Sequence, residues 1–328
     1  MSHASRRMIS RRLLYGCLAT REEIKLLQKS YTNHSSEGNG PEYNYSLSGR
    51  GKRSQKSFIG QKLDIAVQGE VLYGIHPISL ALRAKKRQFY QLYLKKNTAF
   101  RAEAERAIEM AAKLSVPVVS VEKGVLDKLS GSRPNQGMCM DVSELPISTI
   151  SSQIWTALKE SRWKHPIWLM PYNVQDPMNF GAILRTSYFL GIDHVLAPQK
   201  NSCRLSPVVS KASSGALEVI NMARIEEEKD ILDTLQNWKQ MGGVVIAAST
   251  AVLQGSTRIP LPDLLVDKPV FLIVGNEEKG ISRTVMKQCD QAVFIAGSDA
   301  GLLGSLNVSV ATGIILHHLV TENERIQD

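Results

Sequence analysis

The fold of the carboxyl-terminal half is decided by three short blocks: Asn179-Phe-Gly-Ala-Ile-Leu-Arg185, Val274-Gly-Asn-Glu-Glu-Lys-Gly280 and Gly304-Ser-Leu-Asn-Val-Ser-Val-Ala-Thr-Gly313. Each block lies beside an apolar run, at residues 167–170, 269–274 and 292–296 respectively. Apolar runs of this length, separated by helical segments, predict buried parallel strands. We expect strands at residues 167–170, 194–197, 244–248, 270–274 and 292–295, with helices near residues 179–190, 211–217, 229–241, 281–287 and 305–321. We therefore expect all three blocks on loops at strand ends, where α/β sheets place their ligand sites.

Taken together, the blocks resemble the motifs of the SpoU/TrmH branch of the SPOUT methyltransferases, which methylate ribose 2′-hydroxyls in RNA. The resemblance spans roughly residues 166–320, and residues 201–218 are similar to mitochondrial large-subunit rRNA guanosine 2′-O-methyltransferases. It implies a parallel-sheet α/β domain with a C-terminal trefoil knot, S-adenosylmethionine as methyl donor, and a homodimer. The pattern of residues alone would not predict the knot, because knots are nearly absent from known topologies.

Positive charge is concentrated in the amino-terminal half of the chain. Residues 1–165 hold 27 Lys and Arg against 14 Asp and Glu, whereas residues 166–328 hold 13 against 17. Because cations neutralise phosphate and release its counterions, we expect the first half to hold a polyanion. The alternative is a solvated basic surface with a cationic leader.

The first 65 residues are predicted to precede the folded domains. Residues 1–29 resemble a mitochondrial transit peptide, since five arginines lie in residues 1–21 and no acid precedes Glu22. A basic tail on a cytosolic or nuclear RNA-binding protein is the alternative. Residues 30–65, rich in Ser, Gly, Asn and basic residues, predict a flexible linker. A location in the mitochondrial matrix follows, and no apolar run approaches the roughly 20 residues that span a bilayer.

A small α/β domain is predicted at residues 66–145, followed by a connector at 146–165 and the methyltransferase domain at 166–322. The turns Gly74-Ile-His-Pro77 and Asn135-Gln-Gly137 resemble the ribosomal-protein-like RNA-binding domain that similar enzymes carry. We expect phosphate contacts from basic side chains, although each one could equally be a solvated surface charge. The candidates are Arg83, Lys85, Lys86, Arg87, Lys95, Lys96 and, in the second domain, Lys211.

The resemblance places five polar side chains in the active site: Asn179, Arg185, Glu277, Ser305 and Asn307. Arg185 interrupts an apolar helix, and a structural salt bridge is the alternative reading. Because the pKa of a guanidinium lies above about 12, we favour charge stabilisation over a role as base. Arg185 would bind the substrate phosphate and steady the developing alkoxide, with that phosphate or water accepting the proton. Ser305 alone is compatible with a helix N-cap, and Glu277 with a turn.

For the donor pocket, the resemblance implies backbone groups of Gly275, Ile295 and Leu306. At Gly275 the missing Cβ would let a flat ligand approach the backbone, although a tight turn would also need glycine. Where the family commonly has Ile-Pro-Met, this chain reads Ile295-Ala-Gly297, which weakens the assignment of Ile295.

Other chemistries are disfavoured by the sequence. The four cysteines form no Cys-x-x-Cys pair and the histidines show no metal spacing, so no metal is expected. The Gly-x-Gly-x-x-Gly fingerprint is absent, and residues 49–54 lack the setting of a phosphate-binding loop, which disfavours nicotinamide and ATP chemistry. The expected partner is mitochondrial large-subunit rRNA or its precursor particle. Three alternatives stay open: a catalytically silent rRNA-binding assembly factor, a tRNA 2′-O-methyltransferase, and an unrelated α/β enzyme with a small substrate.

Overall fold

The structure is a computed structural model that describes residues 66–151, 154–155, 161–249, 257–276, 280–297 and 304–327. The predicted transit peptide, the predicted linker, part of the connector and Glu277 lie outside the described residues. Residues 62–328 form one compact unit, within which both folded domains lie. No helix in the described ranges is long and apolar enough to cross a bilayer.

The first domain is a four-stranded sheet with helices packed on it. Its strands are β1 (Glu70–Tyr73), β2 (Phe89–Lys95), β3 (Val118–Val121) and β4 (Met138–Val142). They lie in the order β1-β4-β2-β3, and β2 and β3 are parallel while the other pairs are antiparallel. The helices are α1 (Ile75–Ala84), α2 (Ala102–Lys113) and α3 (Lys123–Leu129). The predicted α/β architecture is confirmed, and α3 is a helix that the residue pattern did not predict.

The second domain is built on a seven-stranded sheet in which all neighbours are parallel, in the order β7-β6-β5-β10-β8-β11-β9. Its strands are β5 (Ile167–Tyr172), β6 (His194–Pro198), β7 (Met222–Ile225), β8 (Val244–Ala248), β9 (Thr257–Pro260), β10 (Val270–Gly275) and β11 (Gln291–Phe294). The predicted parallel sheet is confirmed, and the trefoil knot stays a prediction from the resemblance.

Helices cover both faces of this sheet. They are α4 (Pro177–Leu190), α5 (Pro207–Ala212), α6 (Ala216–Val219), α7 (Glu228–Gln240), α8 (Arg283–Met286) and α9 (Val308–Gln327), with a 3-10 turn at Leu261–Asp263. Alternate residues of β10 point to opposite faces, as strand geometry requires. Leu272 lies in the core beneath α4 and α9, whereas Phe271 and Ile273 join Trp238 of α7 in the core on the other face.

Two predicted helices differ from the observed ones. The single helix expected at residues 211–217 is split into α5 and α6, because Ser214 and Gly215 adopt positive φ values of 53° and 85°. A left-handed turn of this kind ends a helix and favours glycine. The last helix begins at Val308, three residues later than expected.

Candidate active site

The three sequence blocks meet at the carboxyl edge of the seven-stranded sheet. Strands β5 and β10 are parallel neighbours, and Tyr172 at the end of β5 is paired with Gly275 at the end of β10. The loops that follow them are joined by Asn173, whose Nδ2 donates to the carbonyl oxygen of Gly280 over 3.4 Å. Asn173 holds a positive φ of 58°, which asparagine tolerates better than most residues.

Asn179 is fixed by the start of α4. Asp176 is the N-cap residue, and its carboxylate accepts from the backbone N–H groups of Met178 and Asn179 at 3.3 and 3.0 Å. Pro177 follows at the first helical position, where its missing N–H costs nothing. This Asp-Pro start is a recognisable sequence signal, so Asp176 could have been identified from the sequence as a residue that orients Asn179.

Asn307 joins the first block to the third. Its Nδ2 donates to Oδ1 of Asn179 over 3.0 Å. Its own Oδ1 accepts from the backbone N–H and the hydroxyl of Ser309, at 2.9 and 2.6 Å. Asn307 therefore caps α9 while holding Asn179, and both amides are oriented by fixed partners. This contact links two residues that are 128 positions apart in the sequence.

Ser305 and Leu306 lie immediately before this cap and are exposed. Because Asn307 fills the capping position, the alternative reading of Ser305 as the N-cap of the helix is wrong. The amino terminus of a 20-residue helix carries partial positive charge and free N–H groups, which favour phosphate or carboxylate nearby. The hydroxyl of Ser305 stands beside that anion-favouring end.

Gly275 is required by the turn that follows β10. A Cβ at this position would lie 2.8 Å from the backbone carbon of Gly280 and 2.9 Å from Cγ1 of Ile281, closer than such atoms approach. The missing Cβ of Gly275 thus leaves room for Gly280 and Ile281 to pack against the end of β10. Ile295 is half-buried against the core beyond β11.

Arg185 lies on the outer side of α4 and is exposed. Within the described residues, no hydrogen bond or ion pair holds its guanidinium, so the alternative of a structural salt bridge finds no support among them. Residues seven apart share a helix face, and Met178 lies on the same side as Arg185. The exposed guanidinium therefore sits on a face that also presents apolar side chains.

Thiol chemistry finds no support near the site. Burial, together with the smaller effect of the neighbouring Asp176 carboxylate, raises the pKa of the Cys203 thiol to about 11. Burial likewise raises the pKa values of Cys139 and Cys289 to about 12. A thiol with such a pKa is protonated at neutral pH and is a poor nucleophile. Among the described residues, no group of three or more His, Cys, Asp and Glu is arranged to hold a metal ion.

Arg87, predicted as a phosphate contact, is instead buried between the two domains and only 5% exposed. Its guanidinium donates to Glu218 from Nε and Nη2 and to Glu70 from Nη1, at 2.7, 3.1 and 3.0 Å. A cation enclosed by two carboxylates offers no surface to RNA, so this prediction is wrong. Its sequence neighbours, Arg83 and Lys85, are exposed and stay candidates for phosphate contact.

Lys211 and Lys86 also contact the opposite domain. The Nζ of Lys211 donates to Oε1 of Gln136 over 2.8 Å, and the Nζ of Lys86 donates to the carbonyl oxygen of Ile220 over 3.4 Å. Burial lowers the pKa of each ammonium group, with Glu218 opposing the shift at Lys86. Lys211 thus serves the contact between the domains, and Lys86 remains exposed enough to meet a phosphate as well.

Both domains match known protein families. Residues 166–317 match the SpoU rRNA Methylase family, and residues 71–148 match the family described as RNA 2'-O ribose methyltransferase substrate binding. The chain is 35% identical to rRNA methyltransferase 1, mitochondrial, of Homo sapiens over 266 residues, covering 78% of this chain and 73% of that protein. It is 31% identical to the Schizosaccharomyces pombe protein of the same name, with coverages of 82% and 95%.

A bacterial relative and two solved structures extend the comparison. The 23S rRNA (guanosine-2'-O-)-methyltransferase RlmB of Coxiella burnetii is 31% identical, with 77% of this chain and 96% of that protein covered. The SpoU methyltransferase AviRb from Streptomyces viridochromogenes, in complex with the cofactor AdoMet, superposes with a TM-score of 0.61 at 21% identity, covering 78% and 90%. An AdoMet-bound rRNA methyltransferase from Sinorhizobium meliloti gives 0.58 at 21% identity, covering 76% and 86%. These two structures share the fold.

Proposed function

Since the chain belongs to the SpoU rRNA methylase family and is an RNA 2′-O-ribose methyltransferase, we propose that it methylates a guanosine of mitochondrial large-subunit rRNA with S-adenosylmethionine as donor. The observation that carries this proposal is the bond between Asn179 and Asn307, which joins the first and third sequence blocks at the sheet edge. Relatives named as mitochondrial rRNA and 23S rRNA guanosine methyltransferases support the choice of substrate.

In this proposal, different residues at the sheet edge bind the donor, bind the substrate phosphate and orient the substrate. When bound, S-adenosylmethionine supplies an electrophilic methyl group, and backbone groups near Gly275, Ile295 and Leu306 would hold it. Ser305 and the amino terminus of α9 favour a substrate phosphate. Asn179 and Asn307, held by fixed partners, orient the substrate with little reorganisation. For Glu277, outside the described residues, the proposed role rests on the resemblance alone.

Arg185 stabilises charge on the RNA in this proposal. Its fork of N–H groups matches a phosphate, and its permanent charge steadies the alkoxide that develops at the 2′-oxygen. Arg185 and Asn179 are six positions apart on α4, which is about 120° around the helix, so their side chains leave it in different directions. We therefore propose that Arg185 acts at the site of a second copy of the chain.

An exposed apolar face on α4 and α9 fits this second copy. Phe189 and Met178 on α4 are 85% and 61% exposed, and Val310 and Ile314 on α9 are also exposed. The two helices lie side by side, since Thr186 Cγ2 is 3.7 Å from where a Cβ of Gly313 would stand. An apolar surface shared by adjacent helices is typical of an interface, and a two-fold dimer would bury it against itself.

Mixing two inactive variants tests the shared site. Arg185→Ala and Asn307→Ala should each be inactive as pure dimers, whereas dimers re-formed from a mixture should regain activity. A mixed dimer places both changes in one site and leaves the other site intact, provided that Arg185 acts across the interface. If Arg185 acted within its own subunit, both sites of the mixed dimer would be damaged and no activity would return.

Mapping ribose methylation after removal of the protein tests the substrate. We expect one 2′-O-methylguanosine to disappear from mitochondrial large-subunit rRNA and to return when wild-type protein, but not Arg185→Ala, is supplied. Unchanged rRNA with loss of a tRNA ribose methyl group would replace the rRNA proposal with the tRNA alternative. Unchanged methylation in both RNAs would refute both.

The mitochondrial matrix is the proposed location. The arginine-rich residues 1–29 and the mitochondrial relatives support it. A fluorescent protein fused behind these residues should enter mitochondria, and the full chain without them should not. Diffuse cytosolic or nuclear fluorescence from the first fusion would contradict the proposal.

A further inference from the structure

We infer that a buried polar contact between the two domains positions bound RNA for methyl transfer. This contact, here called the domain clasp, consists of Arg87 and Gln136 of the first domain with Lys211 and Glu218 of the second. The inference rests on RNA methylation by this chain and is independent of which nucleotide is methylated. In this account the clasp fixes the orientation of the RNA-binding domain, and so sets where the substrate ribose lies.

The ion pair at the centre of the clasp is directional. Nε of Arg87 is 2.7 Å from Oε2 of Glu218, and Nη2 is 3.1 Å from Oε1 of the same carboxylate. Both side chains are only 1% exposed. A guanidinium that meets a carboxylate through two parallel hydrogen bonds restricts the angle between the groups as well as their distance. This geometry therefore restrains rotation of one domain against the other.

Further partners add hydrogen bonds to both charges. Arg87 Nη1 donates to Glu70 and, over 2.7 Å, to the carbonyl oxygen of Ser143. The hydroxyl of Ser210 donates to Oε1 of Glu218 over 2.7 Å. A buried ion pair is tolerated when its remaining donors and acceptors are satisfied, and such a network favours one arrangement over similar ones.

Gln136 forms the second point of the clasp. Its Oε1 accepts from the backbone N–H of Ile75 over 3.2 Å and from Nζ of Lys211 over 2.8 Å. The amide oxygen thus satisfies the first N–H of α1 and a cation of the other domain together. A Cβ on Gly74 would lie 2.3 Å from Nζ of Lys211, so this glycine leaves room for the lysine. Two separated points of contact restrain orientation better than one.

The clasp reaches the candidate active site through α4. A Cβ on Gly181 would lie 2.5 Å from the Cβ of Ala212 and 2.9 Å from the backbone nitrogen of Ser213. The end of α5, which carries Lys211, therefore lies directly against the helix that carries Asn179 and Arg185. Arg83 and Lys85, the exposed phosphate candidates, lie at the end of α1, a few residues before Arg87. The clasp thus adjoins the phosphate candidates through Arg87 and the helix of Asn179 and Arg185 through Lys211.

An apolar replacement of the central pair tests the inference. Arg87→Met with Glu218→Met removes both charges together, so no buried charge is left without a partner. We expect RNA and donor dissociation constants within about threefold of wild type, because neither binding surface changes. The single-turnover rate of methyl transfer should fall at least about tenfold, because the ribose is less well aligned. Spin labels at Lys113→Cys and Lys287→Cys should report a broadened distance distribution between the domains.

Two further variants keep the test decisive. Lys211→Met leaves the central pair in place and should give a smaller rate loss with a smaller broadening. The control is Lys200→Met, which removes an exposed cation of the second domain and should change neither quantity. Either of two results would overturn the inference. One is a wild-type rate of methyl transfer despite a broadened distance distribution, and the other is a distance distribution as narrow as that of wild type. A loss of donor binding in step with the rate, in both clasp variants, would show a merely structural role. Absence of RNA methylation by wild type would instead refute the proposed function.

Discussion

Arg87 and Arg185 are both candidate RNA contacts by sequence, but Arg87 is buried in the structure and Arg185 is exposed. Arg87 stands in a basic cluster and is buried between two carboxylates at the contact of the domains. Arg185 stands in an apolar helix and is exposed, without a partner among the described residues. Arg87, which could equally have been a solvated surface charge, is held in a buried ion pair. Arg185, for which a structural salt bridge was the alternative, is exposed.

The neighbours of a residue in sequence are therefore poor guides to its neighbours in space. Arg87 follows α1 where that helix meets the second domain, and its partner Glu218 is 131 positions away. Arg185 shares a helix face with exposed apolar side chains, so the surroundings that looked like a core are a surface.

Arg87→Ala should give the largest effect. The change leaves Glu218 buried without its cation, and breaking a buried pair by removing one partner costs about 3–5 kcal/mol. Urea unfolding should show a correspondingly lower free energy of unfolding. The control is Arg83→Ala, an exposed neighbour on the same segment, which should stay within about 0.5 kcal/mol of wild type. Equal stability of the two variants would remove the contrast.

Arg185→Ala should abolish most activity while leaving the fold intact. Loss of one group that stabilises developing charge typically lowers kcat about 100- to 1,000-fold. Because the side chain is exposed, the free energy of unfolding and the affinity for S-adenosylmethionine should stay unchanged. Single-turnover methyl transfer and calorimetry measure these quantities. Full activity in this variant would refute the assigned role.

Phe189→Asp should weaken the proposed dimer. A carboxylate would have to lose its water to enter an apolar interface, so association becomes less favourable. Sedimentation velocity should show monomers at concentrations where wild type is dimeric, with methyl transfer falling in parallel. The exposed residue Met241, outside this face, provides the control Met241→Asp, for which we expect no change. A monomeric wild-type protein with full activity would contradict the shared site.

Lys85→Ala should have the smallest effect. Removing one phosphate contact lowers the slope of log K against log salt by about 0.7 for single-stranded RNA, and affinity falls severalfold with little change in rate. Filter binding at several salt concentrations measures both quantities. An unaltered slope would show that Lys85 is only a solvated surface charge.

Much of the fold could be predicted because its signals are local. The long apolar runs gave the inner strands of the parallel sheet, and β8 was predicted with its observed bounds. The short strands β7 and β9 were missed, since four residues near a sheet edge leave little periodicity to detect. The break between α5 and α6 was missed because it depends on the left-handed conformation of Ser214, which its residue type does not favour.

The candidate site was predicted less completely, for a physical reason. The resemblance named Asn179 and Asn307, and the structure places them in contact. Asn173, Gln136 and Glu218 were missed, because their partners lie between 61 and 131 positions away and no local pattern records such pairings. The donor-site roles of Gly275, Ile295 and Leu306 stay predictions.

Nucleoside mass spectrometry tests the proposed methyl transfer most directly, after the purified protein has been incubated with S-adenosylmethionine and large-subunit rRNA fragments. The proposed function predicts 2′-O-methylguanosine at one position with wild-type protein and almost none with Arg185→Ala. Methylation on a base, or no methylated nucleoside under conditions where the donor binds, would contradict it.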